Sequence, residues 1–319
     1  MSWLPFWVCL GFAPLANGNR SKLIGQDDLK ILTRPVNIDG QNYDFFLDTT
    51  SEDLQINLCD KNGVKNVTCF QSGNGNKPVT GDINISDNQF ISKVPISFAK
   101  TPLNGQFYSA TIGLSLPTTS NSTCNLFFKA LSKFQKRLFT LFLDREATHL
   151  DMAISSSHRC DRLSKSTIHV PVTSDKYWQF EVQKMYFGNL KVDLGQRAII
   201  DTRTSFVGMP KDVFEAFNQT QGFFWDANNQ AYNVDCNLRT VEELPHLRIK
   251  IQEGWLTLRP LDYVDAKHIS NERCVVKFQS SEAYDLEAEW FFGTPIITDY
   301  CVTFNFDNRT LGFTRNMLD

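Results

Sequence analysis

The chain has 319 residues, 42% of them apolar and 21% charged, with a net charge of −3. That length buries a large core, as two domains or as one large bilobal unit. A nucleic-acid partner would show as a basic excess or stripe, so none is expected.

From the amino terminus, Met1 to Gly18 is apolar, with no Lys or Arg before Arg20. The segment is too short to span a membrane, and Ala16-Asn17-Gly18 offers a small-x-small cleavage site. Residues 1–18 therefore read as a signal peptide that lacks the usual basic start. No later stretch approaches the length of a spanning helix, so no transmembrane segment is expected. Secretion accords with Asn-x-Ser/Thr tripeptides at Asn19, Asn66, Asn84, Asn121, Asn218 and Asn308, which are available as glycan acceptors. Once Cys9 leaves with the signal, Cys59, Cys69, Cys124, Cys160, Cys236, Cys274 and Cys301 remain. None forms Cys-x-x-Cys and the His residues are scattered, so no metal or cofactor is expected. The cysteines read as disulfides with one thiol left over.

Asp39-Gly40 is a hairpin signal between strand segments 34–38 and 43–47. Residues 59–81 are turn-rich, and Cys59 and Cys69 are expected to close a small surface loop there. Short alternating segments return over 82–98, and 110–117 is an apolar run broken by Gly113. Residues 126–139 read as a helix: Phe127, Leu131, Phe134 and Leu138 share one face, with Lys129, Lys133, Lys136 and Arg137 mostly opposite. A second short helix is expected over 210–218, opened by Pro210. Strands are expected at 247–251, 255–258, 274–278, 290–293 and 301–307. Many short strands, few helices and Gly/Asn-rich turns make a mostly β chain.

One construction occurs twice. Phe45-Phe46-Leu47 runs into Asp48-Thr49-Thr50-Ser51, and Ala198-Ile199-Ile200 runs into Asp201-Thr202-Arg203-Thr204-Ser205. Asp-Thr after a strand is ordinary turn chemistry when met once. Met twice with the same lead-in, it points to a duplicated unit. A carboxylate ending a buried strand is costly without a partner, so each Asp suggests the other as its neighbour. An apolar-Gly turn follows in each half, Thr111-Ile112-Gly113 and Phe291-Phe292-Gly293.

That order resembles the pepsin-like aspartic peptidases from about Leu29 to Arg315. The two Asp-Thr segments are similar to the family's Asp-Thr-Gly-Ser and Asp-Thr-Gly-Thr-Ser motifs. Leu138-Phe139-Thr140-Leu141-Phe142-Leu143 is similar to its Leu-Phe-Thr stretch, and Tyr177-Trp178-Gln179-Phe180 to its Tyr-Trp-Gln-Phe. Trp290-Phe291-Phe292-Gly293, Phe304-Asn305-Phe306-Asp307 and Leu311-Gly312-Phe313 resemble its C-terminal signature, and the segment from Trp225-Asp226 to Cys236 resembles the nematode branch.

The resemblance implies a bilobal, mostly β fold with a few short helices. Residues 19–170 would form the N-terminal lobe with Asp48, and 171–319 the C-terminal lobe with Asp201. An extended peptide or protein would lie in the cleft between them. Asp48 and Asp201 would share one proton, since two close carboxylates do not both ionise easily. The ionised one would draw a proton from the attacking water, and the protonated one would support the oxyanion. Thr49 and Thr202 would bond across to the other lobe, with Ser51 and Thr204 as further support for the dyad. Family pairing implies disulfides Cys59–Cys69, Cys236–Cys274 and Cys160–Cys301, leaving Cys124 odd. The protein is expected to be a monomer, secreted or lysosomal.

Four departures bear on activity. The motif glycines are replaced by Thr50 and Arg203. A close Arg would pull a carboxylate down by ~1–3 pKa units, against the shared-proton state. The flap segment 72–78 lacks the family's Tyr, and Asn74 falls within the altered turn. Tyr108-Ser109-Ala110 stands where the family has Phe-Asp-Gly. About a dozen residues separate the cleavage site from the first strand, so the basic prosegment is expected to be missing. The chain thus reads as an aspartic endopeptidase homologue, acting in acid through Asp48 and Asp201 with activity impaired by Thr50 and Arg203. The alternatives are a catalytically silent homologue that binds peptides or proteins in its cleft, and a purely structural protein with the carboxylates paired to Arg203.

Overall fold

The computed structural model describes residues 20–25, 31–32, 36–38, 41–43, 45–52, 54–57, 79–86, 89–99, 110–118, 126–132, 134–143, 147–152, 160, 167–217, 220, 222–227, 231–252, 254–270, 273–284 and 287–316. Residues 1–18, Cys59, Asn66, Cys69, Asn74, Asn121, Cys124 and Asn218, each singled out in the sequence, lie outside these.

The fold is mostly β, bilobal and pepsin-like. A 14-stranded sheet takes strands from both halves of the chain, and 7-stranded and 4-stranded sheets are built from the second half alone. Strand Leu138–Leu143 is the junction: it pairs antiparallel with Ala147–Met152 on one side and with Tyr300–Asn305 on the other. All six of its residues are buried. A strand covered on both faces reads as a continuous apolar run rather than an alternating one.

This junction corrects the expected helix over 126–139. The helix runs only Leu126–Leu131, and the chain then turns, with Phe134 N–H donating to Leu131 O. Phe139, the last residue of the expected helix, instead stacks on Phe304 at 4.5 Å and meets Trp178 edge-on at 6.2 Å. Burial of those rings outweighs local helical spacing. Of the four cations on the proposed helix face, Arg137 reaches Asp307 Oδ1 at 2.6 Å instead. The second helix runs Lys211–Ala216 with Pro210 at its cap. The strand expected over 274–278 is split into Arg273–Val276 and Phe278–Ser280, where Lys277 N–H donates to Tyr263 O.

Strands Val36–Ile38 and Gln41–Tyr43 pair antiparallel with Ile38 opposite Gln41, while Asp39 and Gly40 lie outside the described residues. Disulfides join Cys160 to Cys301 and Cys236 to Cys274. Asn84 lies in strand Val79–Ser86, and Asn308 is exposed in the turn after Asn305. No helix among the described residues is long and apolar enough to cross a membrane.

Helix Thr294–Asp299 ends on a buried carboxylate beside this junction. Arg315 Nη1 lies 2.7 Å from Asp299 Oδ2 and Arg259 Nη2 lies 3.4 Å from Oδ1, while Arg259 Nε also meets Asp262 at 3.1 Å. Burial first, then the Asp262 charge, push Asp299 up to about 7 against the pull of both arginines. The native state thus keeps a proton that an unfolded aspartate, near about 3.9, has given up. The resulting stability is present in full below about pH 4 and is lost as the pH rises through about 7. Asp299→Asn removes this titration. The melting temperature of the wild type minus that of the variant is expected to shrink steadily across a pH series from 4 to 8.

Candidate active site

The two halves repeat one local construction. Strand Phe45–Asp48 runs parallel to Ala110–Gly113 with Asp48 opposite Gly113, and Leu114 N–H donates to Asp48 O at 2.7 Å. Strand Leu190–Ile200 runs parallel to Trp290–Phe292 with Ile200 opposite Phe292, and Asp201 N–H donates to Phe292 O at 3.0 Å. Each apolar-Gly mark therefore lies alongside its own Asp-Thr. Gly293 is required by close approach, since a Cβ there would fall against Thr204 O, Thr204 Oγ1 and Phe206 O.

Two threonines join the copies. Thr49 Oγ1 donates to Ile200 O at 2.7 Å, and Thr202 Oγ1 donates to Leu47 O at 2.6 Å. Each hydroxyl also accepts the other's backbone N–H: Thr49 N–H reaches Thr202 Oγ1 at 3.0 Å, and Thr202 N–H reaches Thr49 Oγ1 at 3.1 Å. Both residues are fully buried, so every one of these groups would be costly without its partner. Trp178 adds a third tie, its indole N–H donating to Leu114 O at 2.8 Å.

The brace brings Asp48 and Asp201 to one place, where each meets the residue two positions on. Asp48 Oδ1 accepts from Thr50 N–H at 2.8 Å and from the Thr50 hydroxyl at 2.6 Å. Asp201 Oδ1 accepts from Arg203 N–H at 2.9 Å and from Nε at 3.2 Å, and Oδ2 accepts from Nη2 at 3.3 Å. The same Nε lies 3.7 Å from Asp48 Oδ1, so one guanidinium faces both carboxylates. Ser51 Oγ is buried with no hydrogen-bond partner, while Thr204 Oγ1 donates to the backbone O of Asp201 at 3.0 Å and so closes the turn.

Arg203 was expected to hold a carboxylate below its ordinary range. Instead burial, the larger effect, raises Asp201 above it, with the Arg203 charge and hydrogen bonds opposing and the Asp48 charge adding to the rise. At a fully buried carboxylate the loss of water outweighs one partly exposed cation.

Tyr284 was not singled out in the sequence. Burial raises its hydroxyl, and the Asp201 charge adds to the rise. It follows the short turn Ser281–Ala283, and its ring rests 5.6 Å from Phe206 and 5.5 Å from Phe291. No local pattern marks it, because only that packing sets its position.

A bilobal β fold with two strand-ending aspartates joined by paired threonines defines an aspartic-peptidase class of protein. The family model for eukaryotic aspartyl protease matches residues 79–316, and the chain belongs to that family. The matched span begins after Asp48 and its altered glycine position. Aspartic protease 17 of Caenorhabditis elegans is 24% identical over 230 residues, which cover 70% of this chain and 56% of that protein. Aspartic protease 1 of the same nematode is 26% identical, covering 55% and 45%, and pepsin A of Gallus gallus is 23% identical, covering 64% and 55%. The chain spans about half the length of the curated relatives it matches.

Thr49→Val and Thr202→Val each leave a buried carbonyl and a buried N–H unpaired and are expected to cost about 1–3 kcal/mol. Because the two hydroxyls serve each other, a double-mutant cycle in denaturant should return a coupling of at least ~0.5 kcal/mol. Simple additivity would show that they act separately.

Proposed function

We propose that this chain is a secreted peptide-binding protein whose two-aspartate site is closed by its own side chains, with peptide hydrolysis suppressed. Residues 1–18 direct it out of the cell, 19–170 and 171–319 form its lobes, and an extended peptide lies in the cleft between them. One observation supports the reading above the rest: the Arg203 fork on Asp201 with Nε turned toward Asp48, while the Thr50 hydroxyl is spent on Asp48 Oδ1. Hydrolysis by this kind of site needs one carboxylate to take a proton from water and its neighbour to be protonated. The guanidinium cannot give up its charge; its pull on the Asp201 proton is outweighed by burial, but it occupies both Asp201 oxygens and faces Asp48 Oδ1, so a water to be activated there loses its acceptors.

A second reading, a working acid endopeptidase, is favoured by the intact threonine brace. Burial lifts Asp201 above the ordinary aspartate range. Protonation there on acidification would loosen the fork of Arg203, and any residual hydrolysis would be confined to acid.

A denatured protein substrate incubated with the purified chain across pH 3–6 separates the two. We expect no cleavage by the wild type. The Thr50→Gly/Arg203→Gly variant should gain activity by about 10²–10⁴-fold, the scale of general acid–base catalysis. Asp48→Ala should then abolish that gain. A statine-type peptide should still bind the wild-type chain. Wild-type cleavage lost in Asp48→Ala would overturn the silent reading in favour of the peptidase.

A further inference from the structure

Away from the aspartates, four antiparallel strands, Leu190–Ile200, Gln179–Phe187, Leu247–Ile251 and Gly254–Leu258, lie side by side in that order. One face is core: Met185, Phe187, Ile249, Ile251, Leu256 and Leu258 are all buried. The period of two sends the intervening residues to the other face. There the register sets Asp193, Lys184, Lys250 and Trp255 in one row, and Lys191, Tyr186, Arg248 and Thr257 in the next.

Those two rows carry four cations and one carboxylate, in a chain whose net charge is −3. Asp193 pairs with Lys184 at 2.9 Å. Among the described residues, Lys191, Arg248 and Lys250 meet no carboxylate; what they meet is aromatic. Arg248 lies over the Trp255 ring at 4.8 Å and Lys250 at 5.7 Å, while Lys191 lies over Tyr186 at 5.6 Å. The two rings pack on each other at 5.1 Å. This pair props the cations on one face of the sheet, holding them partly ordered without neutralising them. Strand geometry places Arg248 and Lys250 ~7 Å apart along one strand, and Lys191 and Arg248 ~10 Å apart across two strand spacings.

We propose that this face binds a sulfated polysaccharide chain. An array of ordered, uncompensated cations on a flat surface complements a flexible polymer with regularly repeated sulfates. Nucleic acid fits less well, because single strands bind through open aromatic faces that stack on bases, and here the protein's own cations cover both rings. The disulfides Cys160–Cys301 and Cys236–Cys274 belong to the oxidising compartments in which sulfated polysaccharides are met.

The probe is heparin, immobilised and eluted with a salt gradient, and free in a titration of Trp fluorescence. The glycosylated wild-type chain should be retained above 0.15 M salt, with log Kd rising against log salt at a slope of about 2–4, as for a contact of a few charges. Arg248→Glu/Lys250→Glu should weaken binding at least tenfold, and Lys191→Ala, outside the Trp255 stack, about two- to fivefold. Lys211→Glu, on a separate helix, should bind as the wild type does. Should the double charge reversal fail to fold, Lys191→Ala and Lys250→Gln serve in its place. Elution of the patch variants at the wild-type salt would overturn the proposal. Tighter binding to single-stranded DNA than to heparin at matched salt, or equal binding to unsulfated dextran, would overturn the polysaccharide assignment.

Discussion

The structure depends on a reciprocal pair of hydrogen-bonded threonines. Thr49 and Thr202 stand 153 residues apart, yet each hydroxyl spans to a carbonyl in the other copy and receives an amide from it. Because all the participating groups are buried, the arrangement has no half-formed version of low cost. It fixes where the two strands stop, and the residue before each threonine is an aspartate. The proximity of the carboxylates is thus a consequence of the brace, and it persists whatever chemistry the neighbouring side chains allow.

That separation explains how a peptidase fold can keep its geometry while its site changes character. Positions 50 and 203 are not part of the brace, so replacing glycine there leaves the strand ends in place. What changes is the supply of donors: a hydroxyl on Asp48 and a guanidinium on Asp201 occupy carboxylate lone pairs that a glycine has no side chain to reach. Burial and the cation then act on Asp201 in opposite directions, and burial prevails.

The fold was largely legible in the sequence because its marks are local: apolar runs that end in Asp-Thr, apolar-Gly turns, a Tyr-Trp-Gln-Phe segment. Other features were not. The stretch after Leu131 carried a helical stripe, and only the distant partners Phe304 and Trp178 make Phe139 a strand residue. Asp299 and its two arginines come from the end of a helix, the end of a strand and the cap of another helix, so no short sequence window contains the cluster. Tyr284 has no motif at all. Net charge is silent for a different reason: an average of −3 says nothing of two adjacent rows of side chains that hold four cations and one carboxylate.

The shared strand Leu138–Leu143 has a consequence for how the chain comes off the ribosome. One neighbour, Ala147–Met152, follows within a few residues, but the other, Tyr300–Asn305, is made only after the whole of the second lobe's earlier strands. Until then the first half carries an apolar edge with a row of unanswered amides and carbonyls, the kind of surface that recruits strands from other molecules. Long-range pairing of this sort is also slow to form, because the loop must close before the contact rewards it. Assembly is therefore tied to synthesis of that distant strand, and a nascent first half has to be shielded until Tyr300–Asn305 arrives.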